Sequence, residues 1–165
     1  MAEKINYRSE KSDEFISSVF SSLTIGVPFC IFKYLFGVLA VREGAASGLD
    51  WLIFIGWAVI VGSGIDLLMN LIRSILELHG RETSLEFCLI AQVGRFFDRQ
   101  NLFLTFDTLL SFLIICFVLW SGWMVHLAGY EKYMWYGATT VNLVSLAIVN
   151  IWTELLVNSD KSSDR

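Results

Sequence analysis

The chain reads as an all-α integral membrane protein of four transmembrane helices, with a cytoplasmic interfacial amphipathic helix between helices 2 and 3. Three observations predict this. Apolar stretches at 19–41, 51–72, 104–127 and 133–157 each reach the about 20 residues that a helix needs to cross a ~30 Å hydrocarbon core. A content of 55% apolar residues with mean hydropathy +0.60 leaves too little polar material to coat a soluble domain. Basic residues outside the stretches are also segregated. Lys4, Arg8, Lys11, Arg73, Arg81, Arg95, Arg99, Lys161 and Arg165 share one side of a four-crossing topology, and only Arg42 and Lys132 fall on the other. That bias predicts that both termini and the 73–103 connection are cytoplasmic, in the cell (inner) membrane.

Residues 1–165 form a single transmembrane domain, because no segment outside the spans reaches ordinary domain size. The net charge of -4 comes from mixed-sign tails without a basic block, which excludes nucleic acid as an expected partner.

The first stretch is too long for a secretory signal, is interrupted by Lys33, and follows a tail whose acidic residues outnumber its basic ones. Pro28 is expected inside this span as a kink site. In the second, Gly62, Asp66, Asn70 and Arg73 follow at spacings of four, four and three, which puts them on one helix face. Gly80 is a plausible stop for this helix, with Thr83 or Ser84 capping the next. Between 84 and 99, Leu85, Cys88, Leu89, Val93, Phe96 and Phe97 recur at helical spacing among charged residues, predicting an amphipathic helix along the membrane surface or beneath the bundle. Asp107 and Ser111 open the third span. Asn142, Ser145, Asn150, Thr153 and Glu154 form a polar arc on the fourth. Trp51, Trp57, Trp120, Trp123, Tyr130, Tyr133, Trp135 and Tyr136 all fall in the outer half, where amphipathic rings favour the headgroup boundary.

An ionisable side chain at mid-membrane costs at least ~2.5 kcal/mol and needs compensation, so Lys33, Asp66, Asn70, Arg73, Asp107, Asn142 and Asn150 are the candidate intramembrane polar network. At about 1.5 Å per residue, Lys33 and Asn142 lie roughly 3 to 6 Å outside the midplane, with Asp66 and Asn150 roughly 7 Å inside it. Depth therefore pairs Lys33 with Asn142 or lets it snorkel outward, pairs Asp66 with Asn150 or through Asn70 with Arg73, brings Arg95 or Arg99 near Asp107, and disfavours a Lys33–Asp66 salt bridge.

No catalytic residues, metal site or cofactor are indicated. In Gly62-Ser63-Gly64-Ile65-Asp66, Ile65 turns the aspartate about 100° away from the Gly-x-Gly-Asp arrangement of intramembrane aspartyl proteases. His79 and His126 fall on opposite sides of the membrane, and the three cysteines show no ligand spacing.

Phe32-Lys33-Tyr34-Leu35-Phe36, Trp51-Leu52-Ile53-Phe54-Ile55-Gly56 and Trp120-Ser121-Gly122-Trp123, within this layout of four spans and an interposed amphipathic helix, resemble the small membrane subunit of tripartite ATP-independent periplasmic transporters. The acidic pair common at the start of that family's second span is missing here, and the connection is longer. The expected role is a non-enzymatic subunit or scaffold of a membrane complex, with a larger membrane protein or identical copies as partners beside the lipid bilayer. The alternative is a small homo-oligomeric channel or transporter component, to which the resemblance points. The topology predicts that Arg42→Cys reacts with a membrane-impermeant thiol reagent only from the outer face; labelling from the cytoplasmic face alone would reverse it.

Overall fold

In a computed structural model, residues 20, 22–79 and 88–163 are described. The N-terminal tail, Gly80, Thr83, Ser84 and Leu85 lie outside the described residues, as do the side chains of Thr153 and Glu154.

Pro28 sets the start of the first long helix rather than a kink within it. Helix α1 (Val27–Ser47) carries the proline in its first turn, where a missing N–H costs no hydrogen bond, and a π-helical turn at Ser22–Gly26 leads into it. At the other end Gly48 adopts φ 68°, and the N–H groups of Gly48 and Leu49 both reach back to the Gly44 carbonyl. This Schellman closure reverses the chain within two residues. Helix α2 (Asp50–Leu78) then runs back along α1 with Asp50 at the positive end of its dipole.

The α1–α2 pair owes its closeness to facing glycines. A Cβ on Gly37 would stand 2.8 Å from the Gly56 carbonyl oxygen, and one on Gly56 would stand 2.8 Å from that of Gly37. Small residues at this crossing let the two backbones touch, which is how helices gain dispersion energy where lipid removes the hydrophobic drive.

The connection re-enters as helix α3 (Leu89–Arg95), capped by the Cys88 sulfur, which accepts from the Ala91 N–H at 3.3 Å. It is shorter than the amphipathic segment read at 84–99. The chain turns after Arg95, with Asp98 at φ 52°, so Phe96 to Arg99 lie beyond the helix. Cys88 is buried, whereas Val93, Phe96 and Phe97 are exposed. Helix α4 (Gln100–Trp120) begins four residues before the expected span and ends seven before its expected end. Gly122, at φ 75°, breaks the apolar run that hydropathy alone had joined, and a 3₁₀ turn at Trp123–His126 follows. Helix α5 (Gly129–Ser163) starts with half a capping box: the Glu131 carboxylate accepts the Ala128 N–H at 2.7 Å.

The described residues therefore form an all-helical protein in which four helices are long and apolar enough to cross a membrane. Helix α1 is the axis on which α2, α4 and α5 all pack, and α3 lies on α4. Half of the most apolar window of α1 is buried, against 17% for α2 and 22% each for α4 and α5. The outer three thus keep most of their apolar surface outward, as a lipid solvent requires. The apolar core gathers Phe32, Leu35 and Leu39 of α1 with Val118, Leu127, Trp135 and Ala138. Trp135, read as an interfacial ring, packs edge-on to Phe32 at 4.9 Å, and Trp123 stacks on Phe36. Trp51, Trp57, Trp120, Tyr130, Tyr133 and Tyr136 are exposed.

Gly37→Ala is expected to lower thermal stability by about 1–3 kcal/mol, because the added methyl meets the Gly56 carbonyl oxygen at 2.8 Å, and that backbone cannot move aside as the Ile60 side chain, also at 2.8 Å, can. Gly62→Ala, where a Cβ meets nothing within 4 Å, should stay within about 0.5 kcal/mol of the parent in the same detergent melt.

Candidate functional site

Buried polar side chains gather at the end of the bundle that carries α3. On α2 the buried stripe is Ser63, Asp66, Asn70 and Ser74, one residue round from the face read as Gly62, Asp66, Asn70 and Arg73. Gly62 and Arg73 are half-buried at its edge. On α4, Asp107 and Ser111 face inward. Helix α1 supplies Lys33.

These three helices meet at the lysine. Lys33 Nζ donates to Asp107 Oδ1 at 2.5 Å and to Asp66 Oδ2 at 3.4 Å, and the three residues are 7%, 6% and 4% exposed in that order. The second oxygen of Asp66 accepts the Leu89 N–H at 2.7 Å, so the first turn of α3 is tied to the same carboxylate. Asn70 Nδ2 donates to the Asp66 carbonyl at 2.9 Å and approaches the Cys30 sulfur at 3.7 Å. Ser74 and Ser111 return their hydroxyls to the carbonyls of Asn70 and Asp107, which keeps these polar groups satisfied along their own helices.

Geometry overturns the depth argument. The Lys33–Asp66 pair disfavoured from residue counting is present, and Lys33 takes Asp107 as its shorter partner instead of Asn142. The four-carbon stem of lysine carries its charge well away from its Cα level, which a ladder of Cα heights ignores. Asp107 meets Lys33 rather than Arg95 or Arg99, both of which are exposed. Asn150 is exposed and does not reach Asp66. Asn142 is buried on the Glu131–Trp135–Ala138–Asn142–Ser145 stripe of α5, with its Oδ1 left without a hydrogen bond.

A partly open cavity of about 200 Å³ adjoins the cluster. Its lining combines Lys33, Asp66, Asp107, Asn70, Thr108, Cys30 and Cys88 with the apolar Ile25, Phe29 and Leu104. Gly26 borders it where Asn70 comes close: a Cβ there would stand 2.6 Å from Asn70 Oδ1. Burial pushes the Cys88 thiol up to about 12; the Ala91 N–H opposes this, and the Asp107 and Asp66 charges reinforce it. The thiol is therefore neutral and a poor nucleophile. Among the described residues no three His, Cys, Asp or Glu side chains are grouped to hold a metal ion.

A second polar contact, missed by the sequence reading, closes the opposite end. Arg42 of α1 grips Glu131 of α5 through two bonds of 2.7 Å each, and Glu131 is also the capping residue of α5. Glu43 stands 3.8 Å from His126 beside it. The available signal was an arginine less than two turns before a helix-ending glycine and a glutamate in the first turn of another helix, on the same predicted side.

Fold and site together define a four-helix bundle of membrane-spanning length with a buried lysine–dicarboxylate cluster. No family model, curated protein or solved structure matches the chain.

Lys33→Met is expected to cost about 3–5 kcal/mol in thermal or denaturant unfolding, because it leaves two buried carboxylates without their cation. Adding Asp66→Asn and Asp107→Asn to it should recover most of that loss. Equal stability of the single and triple variants would show that the cluster's charges are not coupled.

Proposed function

We propose that this protein is a non-catalytic subunit or scaffold of a complex in the cell membrane, inserted with both termini and the α2–α4 connection on the cytoplasmic side. The observation that carries this reading is that the charged cluster fastens helices to one another at one level of the bundle. Lys33 joins α1 to α2 and α4, Asp66 also holds α3, and the apolar core of Phe32, Leu35, Leu39, Val118 and Trp135 lies on the far side of it along α1. A proton or ion relay needs polar groups in sequence through both leaflets. Charges gathered at one level act instead as interhelical fasteners.

Two surfaces suit a docking role. The peripheral helices keep broad apolar faces outward, and the α3 region offers Val93, Phe96 and Phe97, with Phe96 84% exposed, next to Arg95 and Arg99. An apolar edge with adjacent basic residues is the chemistry of a segment lying at the inner membrane surface, consistent with the amphipathic reading of 84–99. A second reading, a homo-oligomeric channel or transporter component, is favoured by the cavity beside Lys33.

Native mass spectrometry of the protein extracted from its own membrane in mild detergent tests the two. The scaffold reading expects a stoichiometric larger membrane partner. A pure homo-oligomer that conducts ions in proteoliposomes, with flux lost in Asp66→Asn, would replace it with the second reading.

A further inference from the structure

The charged lining of the cavity does not balance. Lys33 supplies one positive charge against the two carboxylates of Asp66 and Asp107, and the thiol of Cys88 is neutral. The carboxylates are also unequally satisfied. Asp66 uses one oxygen for Lys33 and the other for the Leu89 N–H, whereas Asp107 uses Oδ1 for Lys33 and its Oδ2 takes no hydrogen bond from the described residues. Asp107 is only 6% exposed, and it borders the cavity. A buried excess of formal negative charge is costly unless a proton or a cation joins it.

We infer that the cavity beside Lys33 binds one small organic monocation, its charged head on Asp107 and its apolar body against Ile25, Phe29 and Leu104. Three features select this chemistry. The charge deficit is a single unit, which suits a monovalent cation. Ile25, Phe29 and Leu104 add apolar lining beside the charged groups, which suits a hydrocarbon body better than a hydrated inorganic ion. A volume of about 200 Å³ limits the ligand to a few heavy atoms and lies below the range of drug-sized pockets. This goes beyond the scaffold reading, because a subunit without catalysis can still carry a ligand site.

The test uses the full chain in lipid nanodiscs and titration calorimetry with n-butylammonium, alongside n-butanol and sodium chloride. The expected result is one n-butylammonium per chain, bound at least about tenfold more tightly than n-butanol and not displaced by sodium. Asp107→Asn balances Lys33 against Asp66 and should weaken binding about tenfold or more while the bundle stays folded. Leu104→Trp keeps every charge and fills the apolar side; it should remove binding at an unchanged melting temperature. Absence of n-butylammonium binding to the folded parent overturns the proposal. Equal binding of n-butanol would mark a plain apolar void, displacement by sodium would mark an inorganic-cation site, and binding unchanged in both variants would place the ligand elsewhere.

Discussion

Everything at the α3 end of the bundle depends on the ammonium group of Lys33. A lysine in the interior of an apolar helix is unstable alone, and it becomes a fastener only because α2 and α4 each bring an aspartate to it. The contact then dictates more than pairing. It fixes the rotation of α2, so that Ser63, Asp66, Asn70 and Ser74 face inward, and of α4, so that Asp107 and Ser111 do. Through the Leu89 N–H it also ties the start of α3 to the bundle. Buried ion pairs seldom add net stability over an apolar substitute, so the arrangement is better understood as setting which helix faces meet.

The opposite end uses different chemistry for the same task. Facing glycines bring α1 and α2 into backbone contact, and Arg42 joins α1 to Glu131 of α5 with a bidentate pair whose carboxylate also caps that helix. Helix α1 is thus engaged by each of the other long helices, and the partners of α1 need touch one another little. Such a hub-and-spoke layout leaves wide apolar faces on the periphery for lipid or for other chains.

The four long helices were legible because an apolar run of about 20 residues is long enough for a helix to cross a membrane, whereas the turn at Gly48 was not read in advance. Hydropathy failed at Gly122, where one residue in a left-handed conformation splits a run that stays apolar on both sides. The site was half legible. Lys33, Asp66, Asn70 and Asp107 were all named in advance, since a charged or amide group in an apolar run stands out. Their pairing was missed, because Cα height says little about where a flexible lysine places its charge. Asn142 and Asn150 were grouped with them on polarity and depth, and helix rotation, which sequence spacing does not set between helices, puts them elsewhere.

The most direct measurement of the central claim is rotational-echo double-resonance solid-state NMR in lipid bilayers, on protein with ¹⁵N in the lysine ammonium groups and ¹³C in the aspartate carboxyls. Dephasing of the Lys33 ammonium signal by both Asp66 and Asp107, stronger for Asp107 because its oxygen lies at 2.5 Å against 3.4 Å, is the predicted result. A Lys33 signal untouched by either carboxylate, as for a lysine snorkelling to the interface, would contradict it and remove the interaction on which this account of the bundle rests.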